Sequence, residues 1–245
     1  MKTKINKESR NLLIAMLLGD GTICSNYVFK LSYGDKQKEY LEWKIKQLNE
    51  HGIRNNGLKS YTSTCGFNLG KTVYYTQLSV IPFIKTLRRI FYKPYKILGN
   101  RRILNRLDAK GIAIWFMDDG NLNPKKREGI IKGFYIKIST CLPKDQVQVI
   151  IDYFKEEWNI SFYMFHEGKK EDSYSLCCGT KEGRKFLDIV SPTIREIPSM
   201  LYKIQFNKSQ DIYDILSNHE NDEMQSSGNT EDIVHSSMKV DEISD

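Results

Sequence analysis

The sequence predicts an α/β protein of the α+β kind, made of two related αββαββα halves arranged about an internal pseudo-twofold axis. Three observations carry this. Two apolar stretches ending in Asp-Gly, Leu13–Gly21 and Ile112–Gly120, place their last aspartates, Asp20 and Asp119, 99 residues apart. The residues after each stretch follow the same order of strand, helix, paired strands and helix, and an ordered unit repeated at a fixed offset is the mark of a duplication. Finally, 245 residues with 40% hydrophobic and 11% aromatic content can bury the core of one large domain or two small ones.

The elements follow in chain order. Each repeated stretch is too apolar all round to be a surface helix, so each is expected to lie buried against its counterpart. Ala15 and Gly19 stand at i, i+4, a spacing that lets helix backbones approach closely. The second stretch offers only Ala113 in that role and carries Asp118 before its final aspartate, so looser packing is expected there. Tyr27 to Tyr33 alternates Val28, Lys30 and Ser32 against Tyr27, Phe29, Leu31 and Tyr33, which reads as a half-buried strand. A helix from Lys36 to His51 carries Tyr40, Leu41, Trp43, Ile45 and Leu48, with Gly52 placed to end it. Strands near Leu58 to Ser63 and Val73 to Val80 come next, then a helix opening at Pro82. The second half gives a strand over Phe134 to Thr140, a helix from Pro143 to Trp158, strands at Ser161 to Phe165 and Tyr174 to Cys178, and a helix from Lys181 to Val190. Its first hairpin is legible only in the returning strand. The two repeats are assigned to residues 1–105 and 106–216. Residues 217–245, rich in Ser, Asn, Asp and Glu and lacking aromatics, are expected to form a disordered acidic tail.

Charge separates along the chain in the same way. The tail holds eight acidic residues against Lys239 alone, a charge of −7, so the overall +7 leaves +14 on residues 1–216. Such a basic body suits a polyanionic partner, because each lysine or arginine that meets a phosphate releases condensed counterions. Five cysteines without C-x-x-C spacing and four scattered histidines argue against a disulfide framework or a zinc site. The longest apolar run, Leu12 to Leu18, is about a third of the roughly 20 residues that cross a bilayer, and no signal-peptide pattern precedes it. A soluble protein of the cytoplasm or an organellar matrix, neither secreted nor membrane-bound, is expected.

The chemistry is concentrated where the carboxylates fall. Asp20 and Asp119 each occupy the last turn of a predicted helix, where the macrodipole disfavours an acidic side chain by roughly 0.3–1 kcal/mol. Parallel packing of the two helices would bring these carboxylates together, and each would raise the other's tendency to hold a proton. A cation between them is the natural remedy. Oxygen-only ligands suit Mg²⁺, with Mn²⁺ as a substitute, bound through carboxylates together with phosphate oxygens. Such an ion can activate water and stabilise charge on a phosphodiester. Glycine as a plain helix cap beside a solvated aspartate accounts for one such ending; two copies in the same register are harder to dismiss. A calcium loop starting at Asp118 does not fit, since its glycine is third rather than sixth and its twelfth residue is Gly129.

The two stretches, with Trp115-Phe-Met-Asp-Asp-Gly120 and the later Ile197-Pro-Ser-Met-Leu-Tyr-Lys203, resemble the LAGLIDADG homing endonucleases, in particular the monomers carrying two motifs on one chain. The resemblance implies a saddle in which two four-stranded antiparallel sheets arch over the major groove of double-stranded DNA and the motif helices form the seam. It implies that Asp20 and Asp119 bind divalent metal at the scissile phosphates, with Gly19 and Asp118 beside them in the metal set. Asp118 occupies the position of the family's alanine and ranks as a neighbour rather than a ligand. The flanking basic residues of relatives correspond to Lys96 and Lys203, the latter in the better-matched stretch. The polar members of the strand alternations, Lys30, Ser32, Gln77, Lys137, Ser139 and Ser175, would line the DNA face, lysine and glutamine being suited to guanine and adenine edges. An intron RNA maturase on the same scaffold is the alternative, and a regulator that has lost cleavage is disfavoured by two intact aspartates. Because the chain opens at Met1 and lacks a terminal His-Asn, a free-standing protein is expected rather than an intein-embedded one.

Overall fold

A computed structural model describes residues 5–66, 69–93, 96–128, 130–168, 171–207 and 210–211. The expected acidic tail lies outside the described residues. The first half runs α1 (Lys7–Leu18), β1 (Thr22–Ile23), β2 (Phe29–Gly34), α2 (Lys38–Glu50), β3 (Lys59–Thr62), β4 (Thr72–Leu78) and α3 (Pro82–Phe91). A single-turn helix, α4 (Arg101–Leu104), leads to the second half: α5 (Ala109–Asp119), β5 (Gly120–Arg127), β6 (Ile130–Leu142), α6 (Lys144–Trp158), β7 (Tyr163–His166), β8 (Tyr174–Gly179) and α7 (Thr180–Ile194). A 3₁₀ turn, Pro198–Lys203, and a short pair of strands, β9 (Gln205–Asn207) and β10 (Gln210–Asp211), close the described chain.

Both halves are therefore αββαββα, and their sheets share one topology. The first sheet is ordered β1-β2-β4-β3 and the second β5-β6-β8-β7, with every pairing antiparallel. Alternation decides which face packs. Phe29, Leu31 and Tyr33 of β2 are buried, as are Phe134, Ile136 and Ile138 of β6, so Lys30, Ser32, Tyr135 and Lys137 fall on the opposite faces.

Sequence patterning left β5 unread for a physical reason. Gly-Asn-Leu-Asn-Pro-Lys-Lys-Arg has no apolar alternation, only Leu122 packs against the core, and its proline is tolerated because β5 is an edge strand. Helix α7 runs on past Val190 to Ile194 despite Pro192, with Val190, Thr193 and Ile194 all buried.

The motif helices form the centre of the molecule. Leu12 to Leu18 of α1 are at most 2% exposed and Ile112 to Met117 of α5 at most 1%, within one hydrophobic cluster that joins both halves. The two helices run parallel, because they touch at matching ends. At the N-terminal ends Asn11 Nδ2 donates to Asp108 Oδ1 at 2.7 Å and the Asp108 amide returns a bond to Asn11 Oδ1 at 3.0 Å. A Cβ on Gly111 would lie 2.3 Å from that Asn11 oxygen. At the C-terminal ends a Cβ on Gly19 would lie 2.2 Å from Asp118 Oδ2. The looser packing expected around Asp118 is thus not found. The missing side chain of Gly19 makes room for its carboxylate, and buried partners neutralise it.

Candidate active site

The C-terminal ends of α1 and α5 present the two aspartates differently. Asp119 is the last residue of α5, and its carboxylate accepts the Trp115 indole N–H at 3.2 Å, one turn back. Asp20 does not lie in a last turn as the sequence suggested. Helix α1 ends at Leu18 with Gly19 as its cap, and Asp20 follows it. The amides on either side of Asp20 bond back into α1, Gly19 to Ala15 O at 3.3 Å and Gly21 to Met16 O at 2.8 Å. The Asp20 amide instead leaves its own helix and donates to Asp118 Oδ2 at 3.2 Å.

Two lysines close on these helix ends in matching fashion. Lys96 Nζ donates to the carbonyl oxygen of Gly19 at 2.8 Å and of Gly21 at 3.4 Å. Lys203 Nζ, 6% exposed at the residue level, donates to the carbonyl of Gly120 at 2.6 Å. A cation at a helix C-terminus satisfies open carbonyls and opposes the negative dipole end. The structure thus gathers Asp20, Asp119, Lys96, Lys203 and Gly19 at one end of the helix pair, with Asp118 against Gly19 and the Asp20 amide.

The electrostatics follow from burial in close quarters. Asp119 is pushed up from its ordinary value of 3.8 to about 7, first by burial and then by the charges of Asp118 and Asp20, against the pull of Lys96 and the Trp115 hydrogen bond. Asp20 also rises, through crowding by the surrounding protein and Asp118, opposed by Lys44, Lys96 and Lys203; the residue itself is exposed, so its rise is the smaller of the two. Burial lowers Lys96 and Lys203 while all three aspartates hold them up. Two adjacent carboxyls with raised proton affinity beside two lysines with lowered proton affinity are characteristic of a functional site rather than of a solvated surface.

Asp118 has another assignment. Lys44 Nζ lies 2.9 Å from both of its oxygens, Tyr33 Oη donates to it at 3.1 Å, and neither the lysine nor the carboxylate side chain is exposed to solvent. With the Asp20 amide, its oxygens are fully engaged within the protein, so Asp118 is placed as a neighbour of the site rather than as an open ligand. Lys44 itself was missed by sequence reading, yet its signal was present. It falls on the buried stripe Tyr40, Leu41, Lys44, Gln47, Leu48 of α2, where helical periodicity demands an apolar residue.

The sheet faces divide the remaining candidates. Lys30 and Ser32 are half-buried, Gln77 is exposed, and Lys30 Nζ stands over the rings of Tyr75 and Tyr61 at 5.1 and 5.5 Å. On the second sheet Lys137 pairs with Glu167 at 2.9 Å and lies 4.8 Å from the centre of the Phe165 ring. Ser139 is half-buried and lies within the stretch between Ile138 and Leu142 where the register of β6 shifts, so pairing does not fix its face. Ser175 shares the face of Lys137 but is fully buried and donates its hydroxyl to Glu167; the carboxylate covers it, so it is not offered to a ligand as the alternation suggested. Asn121 and Asn123, opposite Lys137 and Tyr135 in register, join this face unannounced, since β5 was not legible. Exposed Tyr61, Tyr163 and Phe165 add aromatic surface.

Among the described residues, no three His, Cys, Asp or Glu side chains are grouped to hold a metal, no helix is long and apolar enough to cross a membrane, and all five cysteines are free.

The profile of the LAGLIDADG DNA endonuclease family matches residues 10–186, and the chain belongs to that family. It is 26% identical over 209 residues to the probable intron-encoded endonuclease 1 of Wickerhamomyces canadensis, covering 84% of this chain and 87% of that protein. It is 24% identical over 215 residues to the RecA protein of Mycolicibacterium chitae, where the match takes 82% of this chain but 47% of the relative, so the chain spans about half the length of that protein. The homing endonuclease I-WcaI, solved bound to its DNA recognition sequence, shares the fold with a TM-score of 0.68 at 21% identity, over 84% of this chain and 89% of that one.

Proposed function

We propose that the protein is a site-specific endonuclease that makes a metal-dependent double-strand cut in a long DNA target, acting as a single chain. The observation that carries this reading is the doubled construction of the site: two aspartates at the ends of two parallel buried helices, with Lys96 on the carbonyls that flank Asp20 and Lys203 on the carbonyl that follows Asp119. Two such carboxylates, one from each half, suit an enzyme that must cut two strands. The family membership and the DNA-bound relative of the same fold support DNA as the substrate.

The residues present fit a hard divalent cation. Asp20 and Asp119 both have raised proton affinity, so each gains from a positive charge brought close, and both offer oxygen. Mg²⁺, or Mn²⁺ in its place, held by Asp20 and Asp119 together with phosphate oxygens, would supply an activated water and charge neutralisation in an in-line displacement. Asp118 does not fit as a ligand, its oxygens being committed elsewhere. Lys96 and Lys203 fix the helix-end carbonyls and place positive charge beside the scissile phosphates. Lys30, Gln77, Lys137 and the asparagines of β5 face the duplex from the two sheets, with the phosphate contacts setting register and the base edges setting sequence.

A supercoiled plasmid carrying the uninterrupted form of the gene's own locus tests the reading. Linear product is expected with Mg²⁺, none with EDTA, and none from Asp20→Asn or Asp119→Asn. Undiminished linearisation by both variants would remove the site; tight RNA binding without any DNA cleavage would favour a maturase.

A further inference from the structure

Resting on the endonuclease reading, we propose that Asp118 is a positioning residue for one strand only: its buried carboxylate holds the backbone of Asp20 and so aims the catalytic carboxylate of the other half. The two aspartates are supported unequally. Asp119 belongs to α5, its direction set by the helix backbone and by the Trp115 indole. Asp20 stands beyond the end of α1, and its own amide is not tied to that helix. Its neighbours Gly19 and Gly21 bond back into α1 and their carbonyls meet Lys96, but the amide of Asp20 itself donates to Asp118 Oδ2, contributed by the opposite half of the molecule, at 3.2 Å.

Asp118 can do this only because its charge is balanced in place. Lys44 of α2 reaches both its oxygens, Tyr33 of β2 donates to one of them, and Lys44 also donates to the Tyr33 hydroxyl. The lysine is further packed against the Tyr33 and Tyr40 rings, 4.9 and 4.2 Å from their centres. An ion pair with no solvent exposure on either side chain is a poor way to gain stability, since desolvation offsets most of the attraction, but a good way to fix a unique geometry. Here the geometry fixed spans the seam: Lys44 and Tyr33 come from the first half, Asp118 from the second, and the group they orient is the backbone of Asp20. Gly19 completes the arrangement, as any side chain there would collide with the Asp118 carboxylate. The consequence is an asymmetric enzyme, with one catalytic aspartate held within its own helix and the other, just past a helix end, held in addition by a strut across the interface.

The test separates the two strands. End-labelled duplex target is cut by the unmodified chain, by Asp118→Asn, and by the double variant Asp118→Ala/Lys44→Met, which removes both buried charges at once and so leaves neither unpaired. Circular dichroism and DNA affinity report that each is folded and bound. In the double variant the strand whose cleavage is most sensitive to Asp20→Asn is expected to slow by about tenfold or more, the other by less than about threefold, so that nicked plasmid accumulates. Asp118→Asn, whose side-chain oxygen can still accept the Asp20 amide, is expected to recover part of that strand's rate. Equal slowing of both strands, or selective loss of the strand that depends on Asp119, would overturn the proposal. Failure of the unmodified chain to cut at all would instead remove the endonuclease reading on which it stands.

Discussion

Lys44 Nζ and the carboxylate of Asp118 meet at 2.9 Å with neither side chain exposed to solvent, an ion pair that joins the two halves in the middle of their core. Removing one partner leaves the other buried and unpaired. Lys44→Met or Asp118→Ala alone is expected to lower stability by roughly 3–5 kcal/mol. The double variant, with both charges gone, should lose far less, on the order of 1 kcal/mol, giving a large favourable coupling in a double-mutant cycle. Urea unfolding of the four proteins measures it. Additive losses would mean that the pair is not coupled as its geometry implies.

Gly19 and Asp118 should be coupled in the same way. A Cβ at position 19 would come within 2.2 Å of Asp118 Oδ2, closer than van der Waals contact allows, so Gly19→Ala must move either the carboxylate or the helix end. We expect a loss of about 1–3 kcal/mol in the native background, as for other overpacked sites. The loss should shrink in the Asp118→Ala/Lys44→Met background, where the obstructing carboxylate is absent. Thermal melts across the four combinations are sufficient, and an undiminished loss there would place the strain elsewhere.

How much of this was legible in the sequence depended on periodicity. The duplication, the αββαββα order and the buried faces of β2 and β6 all followed from repeats and alternation, and the same repeats pointed to the helix ends where Asp20, Asp119, Lys96 and Lys203 lie. Strand β5 escaped because an edge strand with Pro124 and three basic residues needs no apolar alternation to pair. In the sequence Asp118 reads as a loosening of the helix contact, because nothing near it in the chain marks a partner. Lys44 lies 74 residues away in the chain, and only its place in the apolar stripe of α2 marked it. Ser175 shows the limit of alternation: register put it on the polar face, but Glu167 covers it.

The raised proton affinity of Asp119 makes a signed prediction about pH. In the unfolded chain its carboxyl ionises near 3.8, and in the folded protein near 7. Between these values the folded state holds a proton that the unfolded state has lost, so stability falls as pH rises through that window. Asp119→Asn, which cannot ionise, is expected to match the native protein at about pH 4 and to exceed its stability at about pH 8. The gain should be on the order of 1–2 kcal/mol after allowance for partial solvent access. Melting temperatures without divalent metal at the two pH values measure it, and a variant equally or less stable at the higher pH would contradict the assigned shift. The same shift predicts that cleavage at limiting Mg²⁺ rises with pH through about 7, because proton and metal compete for one carboxylate. Saturating metal should move that rise to lower pH.

Lys96 and Lys203 make equivalent contacts at the two helix ends, yet their effects on cleavage should separate by strand. Each donates to carbonyls beside one aspartate, Lys96 at Gly19 and Gly21 and Lys203 at Gly120, and burial lowers the proton affinity of both. A lysine that only capped its helix would, when changed to methionine, lower stability and leave the rate per bound complex unchanged. One that also faces the scissile phosphate would lose its contribution chiefly in the transition state, where charge on the phosphate grows. We expect Lys203→Met and Lys96→Met each to cut single-turnover cleavage by about 10²-fold, or ~2.7 kcal/mol, with DNA affinity changed by less than about fivefold. Each variant should slow one strand more than the other, and the two should favour opposite strands. Lys→Arg at the same positions retains the charge but not the compact ammonium that fits one carbonyl, so only partial recovery is expected. Strand-resolved rates under saturating enzyme decide between the roles: unaltered rates with lowered melting temperatures would reduce both lysines to helix caps.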